Sequence, residues 1–136
     1  MNVLAIGRED RPFRPGLLIT ARFLGAALTA AMGLIHAWLW FQGYREIPVI
    51  GTLFLINAGC SAALAAALLT VPARLRRAIA VLAALFTAGT LASLIISLTV
   101  GLFGVHESLQ APLVLITLIV ESLGVLVLGL TALLAR

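Results

Sequence analysis

Charge is scarce in this chain of 136 residues, and so is cysteine. Only 10% of the residues are charged and 62% are hydrophobic, whereas a soluble domain carries charge at about 25–35% of its surface positions. The low charge therefore excludes a soluble globular protein, and the abundance of apolar side chains excludes a disordered chain. The one cysteine, Cys60, excludes an intrachain disulfide and a cysteine-based zinc site within a single chain. These absences leave an integral membrane protein as the class.

The charges that are present divide the chain into four long apolar intervals, of which the last is interrupted only by Glu121. A bilayer core of about 30 Å needs about 20 apolar residues at about 1.5 Å per residue, and each interval is long enough. The pattern predicts an all-α polytopic membrane protein. Because the connections are short, neighbouring helices are expected to be antiparallel, in an up-down-up-down four-helix bundle. The predicted segments are a cytoplasmic N-terminal arm over residues 1–16 and transmembrane spans over 17–41, 49–71, 78–103 and 112–134.

Arginine placement predicts the orientation of the chain in the membrane. All nine basic residues are arginine, a usage typical of GC-rich bacterial genomes, and with four spans only Arg45 falls on the side opposite to the others. Positive charge collects on the cytoplasmic side, so both termini and the turn over residues 71–77 are predicted to be cytoplasmic, in a bacterial inner (plasma) membrane. Trp38, Trp40 and Tyr44 then lie at the outer interface, where aromatic rings are favoured. Because membrane orientation accounts for the arginines, no nucleic-acid partner is expected.

Each predicted helix carries a polar side chain at a similar depth. Counting about 1.5 Å per residue from the outer helix ends places these groups about 8–14 Å into the outer half of the membrane. A charge or amide that faces lipid costs several kcal/mol, so these groups are expected to converge inside the bundle. The candidate ligand-binding residues are His36, Asn57, Ser97, Thr117 and Glu121.

Glu121 is the most specific of these signals, because carboxyl groups near the middle of a membrane are rare and usually have a function. Three interpretations stay open: a protonated Glu121 that holds the bundle together by bonding His36 or Asn57, a ligand or proton site, and a contact with a partner subunit. His36 alone is more typical of a packing residue than of a ligand. A metal site would need His36, Glu121 and His106 together, and neither a metal nor another cofactor is expected.

The two predicted outer connections, over residues 42–51 and 104–112, are compact and are punctuated by glycine and proline. They are interpreted either as a lid over the polar cluster or as ordinary interfacial turns with ion pairs. The candidate lid residues are Arg45, Glu46, His106 and Glu107.

Small residues recur every four positions in two of the spans. Such stripes let helix backbones approach closely in lipid, either inside the bundle or against a second copy or another subunit. The stripes consist of Gly25, Thr29, Gly33 and Ala37 in the first span and of Ala58, Ala62 and Ala66 in the second.

The run HAWLWFQGYREIPVIGTLFLIN, followed by GLFGVHESLQAP and an acid in the last span, resembles a set of small four-helix membrane proteins common in actinobacteria. This resemblance extends over nearly the whole chain after residue 17, and it implies a fold without an assigned activity. A weaker resemblance is to the DoxX-like four-helix family, which has an acid in its second helix where the nearest polar group here is Asn57. The residues that follow the order of that family's pattern are Arg22, Gly33, His36, Gly43 and Pro48.

Three functions are compatible with these features. The small size, the minimal loops and the lack of a catalytic motif favour a non-catalytic accessory subunit of a larger respiratory or transport complex, and not an enzyme. The alternative is a small-molecule binder or transporter with a pocket in the outer half around Glu121 and His36, and the third is a quinone- or haem-linked redox protein. The expected partners are the lipid bilayer and either other membrane subunits or a second copy of the chain.

Overall fold

The protein consists of four long α-helices joined by short connections, the first of which contains a 3₁₀ helix (Tyr44–Glu46), as described by a computed structural model for residues 15–136. All four helices are long and apolar enough to cross a membrane, and the described residues contain no β-strand beyond one isolated bridge. The prediction of an all-α four-helix membrane protein is therefore confirmed. Of the predicted arm, residues 1–14 lie outside the described residues, and Pro15 and Gly16 belong to the first helix. The helices are α1 (Pro15–Phe41), α2 (Ile50–Thr70), α3 (Ala73–Thr99) and α4 (Val114–Leu134).

The helix bounds differ from the predicted spans most in α3, which begins before residue 78 and ends before residue 103. It begins early because the helical backbone continues beyond the apolar segment into the arginine-rich turn, directly after the extended backbone of Pro72. It ends early because Gly101 adopts a φ of 88°, a left-handed conformation that glycine accepts without strain and that turns the chain out of the helix.

The order of the helices gives the bundle two chemically different ends. The end that contains the α2–α3 turn and the C-terminus carries most of the described arginines, and we call it the arginine end. The opposite end contains the connections over residues 42–49 and 100–113, and we call it the loop end. The apolar core lies toward the arginine end and is built mainly from alanine and leucine, namely Ala26, Leu64, Leu68, Ala80, Ala83, Leu128 and Ala132.

Two glycines of α1 lie where α1 packs against α2 and α4. A Cβ atom added to Gly33 would lie 2.6 Å from Cβ of Ser61 in α2, and one added to Gly25 would lie 2.9 Å from a methyl group of Leu128 in α4. Glycine is needed at Gly33 because Cβ of Ser61 cannot move without α2, whereas the end of the Leu128 side chain at Gly25 can rotate away. The α1 stripe thus lies inside the bundle.

The alanine stripe of α2 has a different environment. Ala62 and Ala66 are exposed on the outside of the bundle, and Ala58 is only partly buried. An arrangement every four residues places them on one face of α2, but that face is directed away from the other helices. The α2 helix contacts α1 through another face, which includes Ser61 and the carbonyl of Ala58.

Candidate functional site

A cavity of about 440 Å³ lies between α2 and α3 toward the loop end. It forms there because α2 and α3 contact each other much less than α1 contacts α2 or α3 contacts α4. Its volume is within the range of about 300–1,000 Å³ that is typical of small-molecule sites. Most of its wall is apolar, and its aromatic side chains are Tyr44, Phe54 and Phe86.

The structure brings the five candidate ligand-binding residues to this one cavity from all four helices. Every one of them is buried, with at most 6% of its surface exposed. The depth count along the sequence thus identified side chains that lie near one another in space. They are His36 on α1, Asn57 on α2, Ser97 on α3, and Thr117 and Glu121 on α4.

Glu121 is fully buried, and neither of its carboxyl oxygens has a hydrogen-bond partner among the described residues. The bond to His36 or Asn57 that would make Glu121 a structural tie is not formed. A buried polar group without a partner costs about 1–3 kcal/mol, and more when it is charged. Glu121 therefore makes no hydrogen bond that holds the helices together. Its carboxyl group lines the cavity, and both of its oxygens are available for hydrogen bonds.

His36 is held in a defined orientation beside the cavity. Its Nδ1 lies 2.9 Å from the carbonyl oxygen of Met32, and because a carbonyl can only accept, Nδ1 must carry the proton and donate it. In the neutral ring Nε2 is then an acceptor. The ring also contacts Phe54 in an edge-to-face arrangement, with centroids 4.8 Å apart. Both contacts fix the ring, and no bond to Nε2 is formed within the described residues.

Asn57 connects α2 to α3 along the cavity wall. Its amide Nδ2 donates to Oγ1 of Thr90 at 3.0 Å, and its Oδ1 accepts a hydrogen bond from Ser61 at 3.1 Å. Thr90 in turn donates to the carbonyl of Phe86 at 3.1 Å. This chain of bonds ties α2 to α3, two neighbouring helices that contact each other much less than α1 and α2 or α3 and α4 do.

The hydroxyl groups of Ser97 and Thr117 both donate hydrogen bonds to backbone carbonyl oxygens. Ser97 donates to the carbonyl of Val105 at 3.0 Å, and its own carbonyl accepts from the backbone N–H of Glu107 at 3.1 Å. Thr117 donates to the carbonyl of Leu113 at 2.7 Å. The two Ser97 bonds fold the connection over residues 100–113 onto the end of α3, and the Thr117 bond joins Leu113 to the first turn of α4. Both hydroxyl oxygens can still accept a hydrogen bond.

Tyr44 and Glu107 join the two loop-end connections at the rim of the cavity. The Tyr44 hydroxyl donates to Oε1 of Glu107 at 2.7 Å, and the Tyr44 ring stacks on Phe54 with centroids 4.8 Å apart. Burial, and then the hydrogen bond and negative charge of Glu107, raise the pKa of Tyr44. Tyr44 therefore remains a protonated donor at neutral pH.

Of the four candidate lid residues, only Glu107 lines the cavity. Arg45 and Glu46 are exposed and pair with each other at 3.0 Å. His106 is also exposed, and its ring lies over Gly101, where an added Cβ would be 2.6 Å from Nε2. Tyr44 and Glu107 thus form the rim, while the side chains of Arg45, Glu46 and His106 do not line the cavity.

Comparison with protein-family models, curated proteins and solved structures finds no match to this chain.

The three side chains that a metal site would need do not come together in the described part of the chain. Within residues 15–136, no group of three His, Cys, Asp or Glu side chains lies close enough to hold a metal ion. His36 and Glu121 line the cavity, but His106 does not.

Several residues of the site were not selected from the sequence. Thr90 is not among the candidate residues, and Tyr44 is predicted only as an interfacial ring. Phe54 carried no signal, because a phenylalanine in an apolar span is unremarkable in sequence. Its position between His36 and Tyr44 depends on the packing of α2 against α1 and the first connection.

Proposed function

We propose that this small integral membrane protein binds a lipophilic small molecule in the α2–α3 cavity, which the molecule enters sideways from the membrane. The observation that carries the proposal is the buried, unpartnered carboxyl group of Glu121 in a cavity that is otherwise largely apolar. An apolar wall with a few convergent polar groups is the usual composition of a small-molecule site.

The surroundings of the opening support sideways entry. Leu53, Ile56 and Leu85 line the cavity and are also 42%, 51% and 67% exposed. Because large exposed aliphatic side chains on transmembrane helices face hydrocarbon, the opening between α2 and α3 faces lipid. A ligand that already partitions into the bilayer therefore reaches the cavity without crossing the loop-end connections.

The arginines support an orientation with the loop end outside. Arg74, Arg77 and Arg136 are exposed at the arginine end, and positive charge favours the cytoplasmic side. We therefore place both termini in the cytoplasm of a bacterial cell and the cavity in the outer half of its inner membrane.

Photolabelling with benzophenone, a neutral lipophilic aryl ketone, tests the proposed cavity. Gly89 lines the cavity and has open space where a Cβ would be, so Gly89→Phe is designed to fill it. Gly59 has the same open space but does not line the cavity, and Gly59→Phe is the matched control. We expect saturable labelling of residues 53–57 and 85–94 that the Gly89 variant loses and the Gly59 variant retains. Labelling spread over all exposed apolar residues, unchanged in both variants, would refute the proposal.

A role as a non-catalytic accessory subunit of a larger membrane complex is the second candidate. The observation that favours it is the exposure of α3, of whose apolar stretch only 17% is buried inside the bundle. A transmembrane helix of a partner, or of a second copy, laid along the α2–α3 opening would cover this surface. Purification in a mild detergent should then yield a stoichiometric partner that protects the opening from benzophenone. Recovery of the protein alone, with an accessible cavity, would contradict this role.

The resemblance to small actinobacterial four-helix proteins and to the DoxX-like family remains a proposal about ancestry. It is supported by the confirmed four-helix fold and by the burial of two of the pattern residues, Gly33 and His36, in α1. It adds no activity to the functions above.

A further inference from the structure

We propose that the ligand of the α2–α3 cavity is a protonated lipophilic amine whose ammonium group pairs with Glu121. This inference rests on the proposed function, and it specifies the chemical class of the ligand. Three properties of the cavity lead to it: the sign of its charged groups, the balance of its hydrogen-bond donors and acceptors, and its aromatic walls.

The side chains of the cavity that can become charged include two carboxyl groups. Glu121 and Glu107 line it, and no arginine is among its lining residues. The nearest basic side chain in sequence to the rim, Arg45, is exposed and paired with Glu46. An anionic ligand would therefore meet two carboxyl groups without a compensating cation, whereas a cationic ligand would supply the counter-charge that a buried carboxylate requires.

The hydrogen-bonding groups of the cavity are mainly unused acceptors. Every hydroxyl group on its wall already donates its proton to a protein acceptor, and Nδ1 of His36 donates to Met32. The unused groups include both oxygens of Glu121 and the acceptor nitrogen of His36, against one remaining N–H of Asn57. A cavity rich in acceptors favours a ligand that donates, as an ammonium group does. The committed hydroxyl groups are those of Tyr44, Thr90, Ser93, Ser97 and Thr117.

The rest of the wall suits the apolar part of such a ligand. Phe54 and Phe86 lie on α2 and α3 on the two sides of the opening, and aromatic faces attract cations as well as apolar groups. The exposed Leu53 and Leu85 continue this surface toward the lipid. A molecule with an ammonium group at one end and an apolar body at the other thus matches the cavity from Glu121 to its opening.

Three adamantane derivatives of the same shape test the inference: 1-adamantylamine hydrochloride, 1-adamantanol and 1-adamantanecarboxylate. Binding to the full chain in a non-ionic detergent would be measured by isothermal titration calorimetry. We expect the amine to bind at least about tenfold more tightly than the alcohol or the carboxylate, because hydrogen bonds to charged groups are stronger than neutral ones.

Substitutions of Glu121 distinguish the contribution of its charge to binding from the contribution of the apolar cavity. Glu121→Gln is expected to weaken binding of the amine at least about tenfold and to change binding of the alcohol by less than about twofold. Glu121→Asp retains a carboxyl group and should retain the preference for the amine. Glu46→Gln, which neutralises an exposed carboxylate outside the cavity, is the control and should leave all three affinities unchanged.

The outcomes distinguish this inference from the proposed function. Equal binding of the amine and the alcohol, or an undiminished preference for the amine in Glu121→Gln, would overturn the amine assignment. So would the absence of binding of all three probes to a protein whose cavity benzophenone still labels, and in that case the proposed function would stand. Loss of the saturable benzophenone labelling itself would remove the proposed function and this inference together.

Discussion

Replacing Glu121 with leucine removes the one fully buried carboxyl group of the described chain, and we expect the variant to be more stable than the wild-type protein. The carboxyl group has no exposed surface and no hydrogen-bond partner. Such a group costs about 1–3 kcal/mol, and an apolar side chain of similar volume does not carry that cost. The expected gain is therefore about 1–3 kcal/mol.

The assay is reversible unfolding in mixed micelles of dodecyl maltoside and an increasing fraction of sodium dodecyl sulfate, followed by circular dichroism. Glu46→Leu removes a carboxylate that is exposed and does not line the cavity, and it should change the free energy of unfolding by less than about 0.5 kcal/mol. If Glu121→Leu instead destabilises the protein by more than about 1 kcal/mol, Glu121 forms stabilising bonds in the folded protein, and the argument for an unused carboxyl group fails. A gain in stability accompanied by loss of amine binding would mark Glu121 as a residue retained for function at the expense of stability.

Two further predictions concern the packing of α1 and the rim of the cavity. Gly33→Ala should destabilise the bundle by about 1–3 kcal/mol in the same unfolding assay, because the added methyl group overlaps α2. The control Gly59→Ala adds a methyl group in open space and should be neutral or slightly stabilising. Similar effects of the two substitutions would contradict the close approach of α1 and α2. The second prediction concerns Tyr44, whose pKa is higher in the folded protein than its ordinary value of 10.0. The protonated hydroxyl group therefore contributes fully to folding stability below pH 10.0, and this contribution is lost as the pH rises through the pKa of the folded protein. Tyr44 is the one tyrosine of the chain, so ultraviolet titration of the tyrosinate reports on this residue alone. The midpoint should lie above pH 10.0 in the wild-type protein and should be lower, closer to pH 10.0, in Glu107→Gln. A wild-type midpoint at pH 10.0 would contradict the bond between the two connections.

The candidate site shows which features of a membrane helix bundle can be predicted from a sequence pattern and which cannot. The depth of His36, Asn57 and Glu121 could be counted from the helix ends because the rise per residue of a helix is fixed, and these residues do line one cavity. Their hydrogen bonds could not be predicted, because helix rotation and separation decide which groups meet. Asn57 therefore bonds Thr90 and Ser61 instead of Glu121.

The connections and the alanine stripe show the same limit. The adjacent charges of Arg45 and Glu46 allow two interpretations in sequence, a lid and an interfacial turn with an ion pair. In the structure the two side chains pair with each other and remain exposed. The spacing of Ala62 and Ala66 predicts a common face, and it is the packing of α2 against α1 through Ser61 that leaves this face outside.

By itself, the sequence determined that this protein has four membrane-spanning helices, because the cost of burying charge in lipid confines fourteen charged residues almost entirely to the ends of the apolar segments. It also identified Glu121 as the exception. Only the tertiary structure decided what that exception faces. The helix α1 packs closely against α2 and α4, and α3 packs closely against α4, while α2 and α3 remain apart. The cavity and the unpartnered carboxyl group of Glu121 result from that separation, which no periodicity within a single helix encodes.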